Sequence, residues 1–509
     1  MDLRELVISS NGDDLRQAEQ RILKDRPEGF LMDRAAARLA VVCTELLEKT
    51  YGRVYGARIT ILVGTGDNGG DALLAGAHLR RRGVAVDAFA VGDSVHKRGS
   101  RTFRDAGGRV TYLRDGETTA KAETALNRAD LVLDGVVGIS GRPGLDEPVT
   151  RLLSAIPPRA LVVAVDLPSG VDPQTGETPG AHVTADITVA FGTVHPCLLL
   201  PPAAHAAGRL VYVDVGTQEH IEASPVVQRL TDRGVAARWP VPPRVAHKYT
   251  RGVLGVVAGS DTYPGAAVLA VAGAIRAGVG IVRYVGPAHV TTQVLTARPE
   301  AVPGIGRVQA WLLGSGVEDD PVQDEAIETA LTSGLPCVVD AGALEACVRA
   351  RAKGLRATPA DSVLLTPHAG ELSRMLGLLG HEVTREAVEE KPMRHVRLLA
   401  VESDSTVLLK GPTTLVSGPS GPIFSQAEGV SWMATAGSGD VLAGIAGALL
   451  AAGVDAPHAG AMAALVHGRA GAAASNGGPL AAMGMADATP TVIASLLADL
   501  NALERRSLR

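Results

Sequence analysis

Large aromatic rings are scarce in this chain: 5 Phe, 7 Tyr and 3 Trp among 509 residues, or 3%. A core without rings must be filled by aliphatic and small side chains, and the 59 glycines and abundant alanine suit close helix–sheet contacts. Basic excess is missing as well. Lys and Arg number 49 against 54 Asp and Glu, for a net charge of −5 and a pI near 6.2. That balance excludes the basic face of a nucleic-acid or anionic-membrane binder. The cysteines are only four (Cys43, Cys197, Cys337, Cys347) and none lies in a CxxC pair, so reduced thiols in a cytoplasmic protein are expected. Long apolar runs are lacking too. The most apolar stretch, 441–453, is too short to span a bilayer, and the N-terminal "MDLRELVISSNGDDLRQAEQ" has no signal-peptide core. A soluble cytoplasmic enzyme is expected.

A chain of this length exceeds what one hydrophobic core usually serves, so two domains are expected. From 58 to 213, short apolar runs ("RITILVG", "VAVDAFAVG", "LVLDGVVG", "LVVAVDLPSG", "ADITVAFG") alternate with helical spacing. Near-continuous apolarity is what parallel strands buried on both faces need, so a doubly wound, Rossmann-like α/β unit is predicted. Residues 12–50 read as two preceding helices. The proline-rich "ARWPVPPRVAHKYTRG" breaks the pattern, and the boundary is placed at 222, giving domains 1–222 and 223–509. A second βα alternation starts at "GVLGVVAGS" (252–260), and after Asp440 the chain reads as mostly helical.

Two glycine-rich turns carry chemistry. "TAGSGDVLAG" (435–444) runs into a helix whose free N–H groups and dipole favour an anion, with Asp440 at its mouth as acid or base. An ordinary glycine-rich helix start would look the same. Its company argues otherwise: Lys410, Gly411, Thr413 and Thr414 of "LLKGPTTLV" follow a strand, and "LTPHAGE" puts His368 in a loop with Glu371 opening a helix. In the first half, "GTGDNGGD" (64–71) opens a helix with Asp67, Asn68 and Asp71 as polar side chains. "LVLDGVVGISGRPG" ends a strand with Asp134, and "VDLPSGVD" ends another with Asp166 and Ser169. Carboxylates at three strand ends favour a site over three separate caps, because open α/β sheets bind ligands there.

The second-half stretches resemble the ribokinase-like superfamily and, more closely, the ADP/ATP-dependent NAD(P)H-hydrate dehydratases. The resemblance rests on "HKYTRGVLGVVAGS", "YPGAAVLA", "TPHAGE", "KGPTT", "MATAGSGDVLAG" and "MADATPTVIASL", between 247 and 496. The first-half trio resembles the NAD(P)H-hydrate epimerase domain, over about 15 to 215. Together these imply a bifunctional repair enzyme that epimerises the R and S hydrates NADHX and NADPHX and dehydrates the S form with ADP, releasing AMP and phosphate. By resemblance, Asp440 is the catalytic base of the dehydratase. Lys410, Gly411, Pro412, Thr413, Thr414 and Gly439 hold the nucleotide, and Ala267, Gly316, His368 and Asp440 hold the hydrate. In the epimerase, Asp166 is the catalytic acid–base. The hydrate is expected at Asp67, Asn68, Gly69, Gly70 and Asp71, at the loop Gly138, Ile139, Ser140, Gly141, Arg142, Pro143 and Gly144, and at Asp166. Asn68, Asp134 and Ser169 are the implied ligands of a potassium ion, and magnesium is implied for phosphoryl transfer. A homo-oligomer is expected; the Ala–Gly helices permit close subunit packing but do not require it.

The chain departs from the family pattern at several positions. Asp67 stands where the epimerases have Asn, Ala72 where they have Gly, and "LMDRAA" where they tend to have "LMExAG". Ser431 and Trp432 replace small residues before "MATAGSGD". A small-molecule kinase with an accessory domain, or a nucleotide-binding protein whose first half is not catalytic, are the competing readings.

Overall fold

The computed structural model of the chain describes residues 5–10, 12–139, 141–221, 225–354 and 357–507. It divides into two compact units, Ile8–Val226 and Val227–Arg509, with Met1–Val7 grouped with the second. The expected boundary residue 222 lies outside the described residues. No helix among them is long and apolar enough to cross a membrane.

The chain opens with a short strand, β1 (Leu6–Ile8), which belongs to the second sheet. Seven strands then form the first: β2 (Arg58–Val63), β3 (Ala85–Ala90), β4 (Val110–Tyr112), β5 (Leu131–Gly135), β6 (Leu161–Val165), β7 (Ile187–Phe191) and β8 (Arg209–Val213). Their order is β4-β3-β2-β5-β6-β7-β8, and every pairing is parallel. Alternate side chains of β2 explain why both faces are covered. Ile59, Ile61 and Val63 pack into the core that contains Leu39, Leu47 and Leu73, while Leu62 packs with Leu126 and Leu152 on the other side. This is the doubly wound architecture expected, and the chain-first strands β2 and β5 meet at its switch point. Neither β4 nor β8, whose runs are short or polar, nor β1 was anticipated.

The second unit holds β9 (Val227–Leu230), β10 (Val253–Val257), β11 (Ile281–Val285), β12 (Val302–Pro303), β13 (Ala310–Leu313), β14 (Cys337–Val339), β15 (Val363–Leu365), β16 (Thr406–Leu409), β17 (Thr414–Ser417) and β18 (Ile423–Gln426). With β1 they make an eleven-stranded sheet in the order β1-β9-β18-β17-β16-β15-β14-β13-β10-β11-β12. The pairings from β11 through β10 to β16 are parallel, whereas β16–β17 and β17–β18 are antiparallel. The run "STVLLKGPTTLV" is therefore two strands joined at Lys410–Thr413, which exposes the turn.

The glycine and alanine content has a concrete use here. The helix Ser438–Ala451 lies so close to the helix Pro264–Arg276 that a Cβ on Gly444 would meet the Ala270 carbonyl oxygen at 2.2 Å. Likewise, one on Gly273 would meet the Val441 carbonyl oxygen at 2.5 Å. Backbone-to-backbone packing of this kind fixes where the N-terminus of the helix Ser438–Ala451 points. All four cysteines are buried and unpaired.

Candidate active sites

In the second unit, four neighbouring parallel strands end in polar side chains that meet one another. Ser315 follows β13, Asp340 follows β14, Thr366 follows β15 and Lys410 follows β16. Asp340 is buried and gathers the others: its Oδ1 accepts from Lys410 Nζ at 2.9 Å and from Thr366 Oγ1 at 2.8 Å, and its Oδ2 accepts from Ser315 Oγ at 3.1 Å. Burial alone would push the Lys410 ammonium down, but Asp340, Glu371 and Asp440 outweigh it and hold it above its usual range. A buried cation so surrounded stays charged at neutral pH.

Opposite these strand ends the helix Ser438–Ala451 begins, two residues before Asp440 and capped by Gly437 in the left-handed region (φ 86°). An L side chain at Gly437 would be strained, and its Cβ would lie 2.2 Å from Leu269 Cδ1. Asp440 stands in the first turn, where burial and the charge of Asp340 push its carboxyl up to about 7, against the pull of Lys410 and a Ser315 hydrogen bond. A carboxylate poised near neutrality can take a proton and later return it.

A cavity of about 610 Å³ lies beside this group, lined by Lys410, Gly411, Pro412, Thr414, Ser438 and Gly439 among others. His368 also lines it, though its imidazole is occupied: Nδ1 accepts from the Gly370 and Glu371 N–H groups, and Glu371 Oε2 accepts the His368 N–H at 2.8 Å. His368 is thus the N-cap of the helix Ala369–Leu378, and only the rest of its ring faces the cavity. Thr413 is buried. Gly316 adopts φ 66° under Tyr263, and Ala267 is fully buried, with its Cβ where a side chain on Gly259 would go. Two cavity residues went unnoticed in the sequence. Burial pushes the Glu428 carboxyl up, and it pushes His467 down to about 4. His467 is therefore neutral, with Nε2 at 3.4 Å from Ser438 Oγ.

In the first unit the adjacent strands β2, β5 and β6 deliver the expected trio. Asp134 is buried at the end of β5, where its Oδ1 accepts from Ser169 Oγ at 2.6 Å and its Oδ2 from the Ser169 N–H at 2.8 Å. Burial pushes its carboxyl up to about 6, against those hydrogen bonds. No cationic side chain pairs with it among the described residues. Asn68 donates Nδ2 to the Val165 carbonyl at 2.7 Å, which turns its Oδ1 toward Gly138, where an added Cβ would meet it at 2.8 Å. A desolvated carboxylate, an amide oxygen and a hydroxyl form a hard-oxygen set that fits a monovalent cation such as potassium.

The helix Asp67–Arg81 begins directly at "DNGGD", and a Cβ on Gly69 would meet the Gly64 carbonyl oxygen at 2.4 Å. The loop after β5 turns at Gly138–Gly141 and is tied by Gly144 N–H to the Gly170 carbonyl at 2.7 Å. Arg142 and Pro143 are exposed, and Ser140 lies outside the described residues. A cavity of about 540 Å³ is lined by the carboxylates Glu19, Asp67 and Asp71 and also by His96, Lys97 and Arg98, with the His96 ring close against Gly70. Burial, then the charges of Asp166 and Asp67, push Asp71 well up, and the same causes raise Glu19. Asp166 sits at φ 70°, a conformation that costs a non-glycine residue about 1 kcal/mol or more. Its Oδ2 lies 2.9 Å from His195 Nε2. Neither Glu19 nor His195 stood out in the sequence: Glu19 lies on a helix far from any motif, and a lone His after a strand has no signature.

Comparison with known proteins follows the same division. The profile described as NAD(P)H-hydrate dehydratase matches residues 254–492, and that described as YjeF-related protein N-terminus matches 28–197. The bifunctional NAD(P)H-hydrate repair enzyme Nnr of Mycobacterium tuberculosis is 42% identical over 456 residues, covering 88% of this chain and 90% of its own. That of Mycobacterium leprae is 41% identical, over 91% and 94%. Among solved structures, the ADP/ATP-dependent NAD(P)H-hydrate dehydratase from Bacillus subtilis, co-crystallized with ATP/Mg2+, is 28% identical. It covers 52% of this chain and 97% of its own at a TM-score of 0.48. With relatives of this identity matched over nearly their whole length, the chain belongs to the family of bifunctional NAD(P)H-hydrate repair enzymes.

Proposed function

We propose that the chain restores hydrated NADH and NADPH, with residues 1–222 interconverting the R and S hydrates and residues 223–509 dehydrating the S form at the expense of ADP. The observation that carries this reading is Asp440, raised to about 7 at the start of a glycine-led helix and facing Lys410 across the cavity edge. Hydroxide is a poor leaving group, so elimination of water needs the hydroxyl converted first. Asp440 takes the hydroxyl proton as the oxygen attacks the terminal phosphoryl of ADP, and AMP departs. The Gly439 N–H at the helix start and the Lys410 ammonium meet the charge building on the phosphoryl oxygens. Phosphate then leaves with the C6–O bond, the ring nitrogen lone pair fills the gap, and loss of a C5 proton restores the double bond.

Lys410 to Thr414 form the turn that cradles the nucleotide, while Gly316, His368 and Asp440 face the hydrate, with Ala267 shaping the wall behind. Among the described residues no group of three or more His, Cys, Asp or Glu is placed to hold a metal ion, so magnesium would arrive on the nucleotide phosphates and neutralise part of their charge. In the first unit, Asn68, Asp134 and Ser169 would hold potassium, which supplies the countercharge that buried Asp134 lacks. Asp166 moves the proton during epimerisation, beside Asp67 to Asp71 and the loop 138–144. The buried unpaired thiols suit a reducing cytoplasm, and a homo-oligomer is the expected assembly.

Hydrated NADH supplied with ADP tests the reading. Recovery of dihydronicotinamide absorbance with one AMP and one phosphate per turnover is expected, and pure R hydrate is consumed only if the first unit epimerises it. A stable phosphorylated alcohol as sole product would instead make the second unit a kinase.

A further inference from the structure

His195 is wholly enclosed after β7, and its ring does two incompatible things for a merely structural residue. Nε2 is bound to Asp166 Oδ2 at 2.9 Å, yet Nδ1 is equally buried and has no partner among the described residues. Buried polar atoms are normally bonded, and an exception calls for an explanation. Asp166 is itself held in a left-handed backbone conformation, with its second oxygen only loosely tied to the Phe191 N–H at 3.4 Å. The charges acting on the pair and on Glu19 beside it are mostly negative, with Arg16 the cation among them. Glu19 acts on both His195 and Asp166, and Asp67 acts on Glu19 and Asp71. Glu19, Asp67 and Asp71 line the cavity of the first unit, and the charge of Asp166, which is bound to the enclosed His195 imidazole, acts on Glu19 and Asp71.

We propose that His195 is the positioning residue of the epimerase: it pins Asp166 Oδ2 so that Oδ1 faces the substrate, and its positive charge offsets the surrounding carboxylates. This rests on the epimerase reading above. Asp166 removes the proton from the C6 hydroxyl as the C6–N1 bond breaks, giving an aldehyde and an enamine nitrogen that takes up a proton. Reclosure on the opposite face reverses both transfers, so no net proton, electron or co-reactant is needed. With the imidazole bound to Oδ2, the proton resides on Oδ1, the oxygen that must hand it back.

Burial would push the His195 imidazole down, but the charge and hydrogen bond of Asp166 outweigh this and hold it above its usual range. The imidazolium therefore persists to higher pH than an ordinary histidine's and is lost as pH rises through its own titration. Three proteins decide the matter, each assayed with R hydrate in the full-length chain, where ADP-dependent consumption of S hydrate reports that the second unit is intact. Wild type should show an epimerisation kcat that falls on the alkaline side. His195→Leu should lose about 10²-fold in kcat with KM little changed. His195→Gln keeps a donor to Asp166 without a titratable charge, and should show an intermediate kcat and no alkaline limb. Nitrogen NMR of His195, moved by Asp166→Asn, reads the pair independently of activity. Wild-type kcat and an unaltered pH profile in both His195 variants would overturn the proposal. A wild-type protein that fails to epimerise while the NMR shows the coupled pair would overturn the epimerase reading itself.

Discussion

Replacing Asp440 by Asn should slow turnover sharply and, above neutral pH, make the second unit more stable. An ordinary aspartate titrates near 3.8, whereas in the folded chain burial and Asp340 hold Asp440 at about 7. That difference withholds about 4 kcal/mol from the ionised folded form. The sign follows from proton counting: between the two values the folded state binds one more proton than the unfolded state, so stability falls as pH rises through that window. Below it both states are protonated and Asn is an isosteric substitute, so the two proteins should unfold alike. At pH 8 the deficit is complete. Because Asp440 is only partly enclosed, about 2–4 kcal/mol is the expected gain for Asp440→Asn. All three tryptophans (Trp239, Trp311, Trp432) lie in this unit, so urea unfolding followed by their fluorescence reads it without the other. Loss of the general base should lower dehydration about 10²–10⁴-fold with ADP still bound. Equal stability of the two proteins at pH 8, or a difference that does not change with pH, would refute the electrostatic account of Asp440.

Three further outcomes follow from particular contacts. Lys410→Met leaves Asp340 buried without its cation, and the same fluorescence assay should show a loss of about 3–5 kcal/mol together with lost nucleotide binding. Gly437→Ala forces an L residue to φ 86° against Leu269 and should cost about 1–3 kcal/mol in that assay. Gly439→Ala has ordinary room, its Cβ lying 3.4 Å from Lys410 Nζ, and should raise the KM for ADP roughly tenfold by filling the phosphate cradle while stability holds. Exchanging potassium for tetramethylammonium, or Asp134→Asn, should remove epimerisation and spare dehydration, as read by R and S hydrate consumption in parallel.

The residues that were legible in the sequence are those whose backbone setting carries a local signal. Asp134, Asp166 and Lys410 follow apolar runs that can only be strands, and Asp440 follows glycines that open a helix. What escaped is the side chains that act through space. Asp340 ends "CVVDAGAL" by the same rule as Asp134, and the strand-end logic applied there would have found it as the hub that binds Lys410, Ser315 and Thr366. His195 and His467 had no such signal, because burial beside Asp166 and Ser438 is a product of the fold. The His368 ring was singled out for ligand contact, and the structure adds a capping role that its spacing to Glu371 had encoded all along. The turn after β16 was read as following a strand, but the antiparallel return of β17 from Thr414 was not singled out, since Gly411 and Pro412 break apolarity for only a moment.

The two units build their sites by one rule, polar groups at the ends of adjacent parallel strands, and differ in the sign of what those groups favour. In the second unit Lys410 and a helix N-terminus converge, which suits charge gathering on phosphoryl oxygens. The first unit gathers Glu19, Asp67 and Asp71 around a cavity that Lys97 and Arg98 also line, and the charge of Asp166 acts on Glu19 and Asp71. Asp67 stands where the family has Asn, and its charge raises both Glu19 and Asp71. The substitution therefore adds negative charge beside Glu19 and Asp71, which strengthens the acidic character of this cavity.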